Sequence, residues 1–397
     1  MAQAIDALAE LVGAEAARRI VEFRRDMHQH PEIGMDTARA ADKIEAFLQT
    51  LPVEQVHRFA GNGVCAVIRG KKDGPMIGLR ADTDALPIQE ETSVAWKSAI
   101  DKCAHLCGHD GHTAGLLAAA TLLAQTRDFA GSVVLIFQPG EEGWAGADKM
   151  IKDGLFERYP CREVFAIHGA PSRPLGTVAV REGAMTASVD IAYITVEGRG
   201  GHGARPQETI DPMPAAAELI LALQTIVARN INPADSAVVS CCFVQAGDPL
   251  APTVIPQRVN LSATIRTHSP KVRDKIEARF NEITQGIGTV FGGEVKLDYQ
   301  RRYPPQINDP ALVRAILPAL QSVYGEAGVD TKFAPSMGGE DFAFMSEKVP
   351  GVYMQVGLGD EGHTAQLHNP GFDFNDLGLA YAARTFAAIV QERLPLN

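Results

Sequence analysis

Three observations predict an α/β protein, with a mostly parallel mixed sheet interrupted by an inserted α+β domain. Apolar strand-like runs alternate with helix-like runs over residues 1–184, the pattern of a sheet with helices on both faces. From about residue 185 the strands alternate apolar and polar residues, as half-exposed strands do. After Tyr303 the first texture returns.

The elements follow in order. GVCAVIRG (63–70) and PMIGLRAD (75–82) are apolar and glycine-bounded, and read as strands. TAGLLAAATLLAQ, from Thr113, is dense enough in leucine and alanine for a buried helix. SVVLIFQP (132–139) is a buried strand, followed by a turn and a helix near 146–153. VFAIHG (164–169) is another buried strand, with His168 at its end. Then ASVDIAYITVEGRG, PMPAAAELILALQTIVAR, SAVVSCCFVQAG, RVNLSATIRTH, KVRDKIEARFNEITQGI and GEVKLDYQRRY read strand, helix, strand, strand, helix, strand. That order is the split βαβ signature of an α/β sandwich with an antiparallel sheet. ALVRAILPALQSVYG is a helix, GVYMQVGLG a strand, and the run from Asn375 to Leu394 a last helix capped by Asn375. The expectation is one discontinuous domain at 1–184 and 296–397, with an inserted domain at 185–295.

A chain of 397 residues fits two domains. A net charge of -11 spread along the chain offers no basic patch and argues against nucleic acid. No run of 18 or more apolar residues occurs, so no membrane-spanning helix is expected. The N-terminal stretch carries early acids and reads as an amphipathic helix rather than a signal peptide. Six cysteines are too sparse for a disulfide framework. Reduced thiols and a cytoplasmic location are expected.

Ligand-type side chains gather where strands end. Cys107, His109 and His112 lie in CAHLCGHDGHTAGLL, Glu141 and Glu142 in FQPGEEG, and His368 in LHNPGFDF. Sites in open α/β sheets form beyond the carboxyl ends of strands. Residues two apart do not share a helix face, so Cys107 and His109 suit a turn ahead of the helix at 113. Two adjacent carboxylates repel, and the flanking glycines let one turn to a metal while the other takes a proton from water.

Each residue has a plainer reading alone. Cys107 could be a buried thiol, His109 a helix cap, the Glu pair an exposed acidic turn, His168 a core histidine and His368 loop polarity. Together, a thiolate, three imidazoles and carboxylates match a borderline-soft divalent metal, not calcium or magnesium. Five ligands exceed what one open tetrahedral ion needs, so two ions are expected. Asp82 ends strand 75–82. Asp84 follows two residues on; one of the two either orients a ligand from behind or makes a helix cap or turn.

The motifs RRDMHQHPEIGMD (24–36), LRADTDALPI (79–88), HLCGHDGHTA (105–114), FQPGEEGWAGA (137–147), GRGGHGARP (198–206), TVIPQRVNLSATIRT (253–267), MGGEDFAFM (337–345) and LHNPGFDF (367–374) run along nearly the whole chain. In that order the chain resembles the M20 family of zinc-type aminoacylases and carboxypeptidases, in particular its hippurate hydrolase / IAA-amino acid hydrolase branch. The resemblance implies a zinc-peptidase-like catalytic domain and an inserted lid or dimerisation domain. It implies Cys107, His109, Glu142, His168 and His368 as metal ligands and Glu141 as general base. It implies that His202 supports the oxyanion in the partner's active site of a homodimer, and that Arg266 pairs the substrate carboxylate. Alone, both would read as surface residues. Thr253 stands where the branch usually has an asparagine that binds a substrate carbonyl or carboxylate.

The activity implied is hydrolysis of a small N-acyl amino acid, hippurate-like or N-acetylated, to a carboxylate and a free amino acid. Two divalent ions per subunit (zinc, manganese, nickel or cobalt) are implied with it. A dipeptidase or carboxypeptidase would use the same chemistry with another acyl pocket. A silent metal-binding scaffold is a rival that would have no reason to keep Glu141 and His202. A cysteine enzyme using Cys107 is a further rival, which chelator sensitivity would separate.

Overall fold

A computed structural model describes residues 2–396. The chain divides into two compact units. One comprises Met1–Gly183, Ile307–Ala334 and Asp341–Asn397; the other comprises Ala184–Gln306 and Pro335–Glu340. The expected boundary at 295 is therefore displaced. It falls inside strand Glu294–Tyr303, whose ladder with Val189–Glu197 keeps the whole strand in the second unit.

The first unit is built on an eight-stranded mixed sheet. Its order is Glu54–Phe59, Gly63–Arg69, Ala130–Gln138, Lys72–Asp82, Glu163–Pro174, Gly351–Gly359, Val178–Ala179 and Val329–Asp330. The central pairs are parallel and almost fully buried, as continuous apolar runs require. Helix His109–Thr126 is buried along nearly all its length because it presents alanine, leucine and glycine on every side. It packs against Gly378–Arg393 so closely that a Cβ on Gly115 would stand 2.8 Å from the Ala382 methyl. Each leucine so buried contributes roughly 1.5–3 kcal/mol.

Three details differ from the sequence reading. His109 is not in a turn ahead of the helix but is its first residue, because Gly108 at φ 87 makes the turn in the left-handed region. His168 does not end its strand, which runs on to Pro174 alongside Gly351–Gly359. Asn375 does not cap the last helix, which begins at Gly378. Its side chain instead accepts from the Leu377 N–H and donates to the Leu358 carbonyl and Asp360.

Register places the ends of the central strands side by side. Asp82 pairs with Gln138, and Arg80 pairs with Ala166, two residues before His168. Asp82, Gln138 and His168 thus share one level, with Glu141 on the turn just beyond.

The second unit has a four-stranded antiparallel sheet in the order Ala237–Ala246, Arg258–Thr267, Val189–Glu197, Glu294–Tyr303. Val189–Glu197 buries alternate residues. Ala192, Ile194 and Val196 share a core with Leu219 and Leu223 of helix Pro212–Thr225 and Ile276 and Phe280 of helix Pro270–Phe291. Both helices start on a side-chain cap followed by proline: Asp211 accepts from the Met213 N–H, and Ser269 from the Val272 N–H. No helix among the described residues is long and apolar enough to cross a membrane.

Candidate metal centre

In the first unit, Cys107, His109 and His168 bring donor atoms within 4.8 Å of one another, and so do Cys107, Glu142 and His368. Four separate segments deliver them. The loop before the helix is anchored by a bridge between Leu86 and Ala104 and carries Cys107. His368 has φ 63, and its N–H donates to the Leu106 carbonyl at 2.7 Å. That bond ties the last segment to the cysteine loop.

The distances are short enough for shared ligation. Cys107 Sγ lies 3.4 Å from His168 Nε2, and His368 Nε2 lies 3.3 Å from Glu142 Oε1. His109 Nε2 is 4.0 Å from the same glutamate oxygen and 3.7 Å from Asp82 Oδ2. Glu141 completes a third grouping with His109 and Glu142. Asp84 supports the acid pair from behind, accepting the N–H of Glu141 at 2.9 Å and of Glu142 at 3.1 Å.

The site's electrostatics suit a cation. Burial, then Glu142, Glu141 and Asp82, push the Cys107 thiol well above its ordinary value. Burial would lower His109, but Asp82, Asp84 and Glu142 overcome it and push it up to about 10. Burial would raise Glu142, but His368 and His109 hold it low. Burial, with His112 beside it, keeps His168 neutral far below its ordinary value. Both ring nitrogens of His109 and Oε1 of Glu142 are buried with no well-formed hydrogen bond, their nearest partners being Asp84 Oδ1 at 3.4 Å from His109 Nδ1 and His368 Nε2 at 3.3 Å from the Glu142 oxygen. Orphaned buried donors and acceptors are rare, and a thiol, imidazoles and carboxylates converging here fit a divalent metal.

Not every residue expected at the site lies in this unit. His202 sits exposed in the second unit, its Nδ1 accepting from the Ala204 N–H at 3.1 Å. Thr253 is beside it, its carbonyl accepting from the Gly203 N–H at 2.7 Å. Arg266 is half-buried on strand Arg258–Thr267, its Nη1 donating to Thr264 Oγ1 and the Ile265 carbonyl. Asp82 lies under His109, and its Oδ1 accepts from His112 Nδ1 at 2.6 Å. The sequence offered Asp84 as an alternative to Asp82 for the residue that orients a ligand, and left His112 and the buried Arg80 without a role. The repeated His of CGHDGH was the only local signal for His112.

Fold and donor set together define a class: an α/β protein with a candidate metal centre at the ends of its parallel strands. The pattern of Peptidase family M20/M25/M40 matches residues 78–392, and the chain belongs to that family. It is 37% identical over 374 residues to N-acetylcysteine deacetylase of Bacillus subtilis (strain 168), covering 94% of this chain and 96% of the relative. It is 36% identical over 373 residues to hippurate hydrolase of Campylobacter jejuni, with 94% and 96% covered. The crystal structure of the Bacillus subtilis YXEP protein, described as a dinuclear metal binding peptidase of the M20 family, superimposes with TM-score 0.82. That pair is 34% identical, with 95% of this chain and 98% of that one covered.

Proposed function

We propose that this protein is a binuclear metal amidohydrolase that cleaves the amide bond of N-acyl amino acids, releasing a carboxylate and a free amino acid. The names of its relatives, a deacetylase of N-acetylcysteine and a hydrolase of hippurate, support that substrate class. One observation carries the chemistry. Cys107, His109, Glu142, His168 and His368 converge, and Glu141 lies on the same turn with its backbone held by Asp84.

In this reading those five side chains hold two divalent ions, of zinc, manganese, nickel or cobalt. When bound, such ions polarise the amide carbonyl and acidify an attacking water. Glu141 takes the proton from that water as its oxygen attacks the carbonyl carbon. It then passes the proton to the leaving nitrogen as the C–N bond breaks. Asp82 orients His109 from beneath. His202, from the partner subunit of a homodimer, donates to the developing oxyanion. Arg266 pairs the substrate carboxylate through its fork of donors; its hydrogen bonds to Thr264 and Ile265 both use Nη1. Thr253 offers a hydroxyl where the branch carries an amide, and so tunes substrate choice. The unpaired state of the six cysteines suits a reducing cytoplasm.

The test is metal analysis joined to a panel of hippurate, N-acetyl amino acids and dipeptides. Turnover of the N-acyl substrates, lost on chelation and restored by Mn²⁺ or Zn²⁺, is expected. Dipeptides as the better substrates would make the protein a dipeptidase. Activity that survives complete chelation would sink the metal reading.

A further inference from the structure

Gly169, the residue after His168, is gripped from two sides. Its N–H donates to His112 Nε2 at 2.8 Å. Its carbonyl lies 2.8 Å from His168 Nδ1. His112 Nδ1 is 2.6 Å from Asp82 Oδ1. Each contact has only one possible direction, because a backbone N–H donates while a carbonyl or carboxylate accepts. His112 therefore carries its proton on Nδ1, and so does His168. That leaves Nε2 of His168 as the lone-pair nitrogen, and it is the atom that faces Cys107 Sγ at 3.4 Å. The far end is equally fixed: Arg80 Nη1 donates to Asp82 Oδ2 at 2.9 Å, and Arg80 Nη2 donates to Asp341 at 3.0 Å.

We infer that His112 is a positioning residue for the metal centre, setting the tautomer and ring orientation of His168 through the backbone of Gly169. The inference rests on the metal-centre reading above. A ligand histidine commonly takes its orientation from a carboxylate or carbonyl bonded directly to its second nitrogen. Here the carboxylate of Asp82 stands one imidazole and one glycine further back, and the carbonyl that touches His168 is itself held in place.

Two more observations agree. A Cβ on Gly169 would stand 2.5 Å from Leu358 Cδ1 and 3.3 Å from His112 Nε2, so the grip needs glycine at that position. Asp82, His109 and His112 also lie close enough to suggest a metal triad of their own. Yet both nitrogens of His112 are already engaged, so its role is support rather than ligation.

The amide of asparagine overlays the Nδ1 position of a histidine, and that of glutamine the Nε2 position. H112N keeps a partner for Asp82 and loses the acceptor for Gly169; H112Q does the reverse. Wild-type, H112N and H112Q proteins are stripped of metal and titrated with Co²⁺, following the absorption spectrum and measuring affinities by chelator competition. Melting temperatures of the stripped proteins are recorded alongside. The expected result is that H112N binds one of its two Co²⁺ ions about 10–100-fold more weakly, with an altered thiolate-to-cobalt band, while H112Q stays near wild type. A structural role for His112 through Asp82 predicts the opposite order, and that order would overturn the inference. So would wild-type affinity and spectrum in both variants. A wild-type protein that bound no cobalt would instead overturn the metal-centre reading on which the inference rests.

Discussion

Asp84 holds Glu141 by its backbone, with Oδ1 accepting the Glu141 N–H at 2.9 Å. Its other oxygen takes the Glu142 N–H at 3.1 Å. One buried carboxylate therefore sets the turn that separates the proposed proton acceptor Glu141 from the neighbouring metal-ligand candidate Glu142. Asp84→Ala is expected to lower kcat about 100-fold, the scale of an ångström's misplacement, with a smaller change in KM. Asp84→Asn keeps one acceptor and is expected to lose less. Steady-state kinetics check this, and an unchanged kcat in the alanine variant would contradict it.

Arg24 is fully buried among three carboxylates. It lies 2.8 Å from Asp110, 2.6 Å from Asp373 and 3.5 Å from Asp376. Asp110 follows His109, and the other two follow His368, so one guanidinium joins two of the segments that form the candidate metal centre. Removing one member of a buried ion pair leaves uncompensated charge at a cost of about 3–5 kcal/mol. Arg24→Met is expected to lose that order of stability in urea unfolding. A loss below about 1 kcal/mol would put the pair in the class of exposed bridges.

The same network predicts a pH dependence. His28 Nδ1 lies 2.9 Å from Asp110, and its Nε2 lies 3.3 Å from Glu90. Burial alone would lower its pKa, but Asp110 and Glu90 outweigh burial and the nearby Arg24, pushing it up to about 9. That exceeds the free imidazole value of about 6.5. The contribution to stability is complete below about 6.5 and is lost as pH rises through about 9. Melting temperature is expected to fall over that window in the wild type and to be flatter, from a lower start, in His28→Gln. Parallel curves for the two proteins would refute the assignment.

Much of this was legible in the sequence because the motifs sit at the ends of strands that become neighbours. The apolar run at 132–139 read correctly from its continuous hydrophobicity, and the strand after residue 185 from its alternation. What escaped depends on contacts between distant segments or on backbone conformation. His109 could open a helix only because Gly108 adopts φ 87. His168 lies within a longer strand because Gly351–Gly359, nearly two hundred residues later, pairs beyond it. The bonds of Asp84 and His112 leave no mark on hydrophobic pattern, so Asp84 could not be told from Asp82 as the orienting acid, and His112 could be placed among the clustered histidines but given no partner.

Cys107 belongs to both main donor groupings. Cys107→Ser replaces a soft thiolate with a poorer hydroxyl ligand. Metal content after dialysis is expected to fall below two per chain, and the thiolate-to-cobalt absorption to vanish. Two tightly held ions in the serine variant would remove the cysteine from the ligand set.

The assignment of Glu141 as the proton carrier is tested most directly by Glu141→Ala, measuring metal content and turnover on the same preparation. The prediction is metal near two per chain, an unchanged fold and turnover abolished. Turnover retained at near wild-type rate, with both metals bound, would contradict the account.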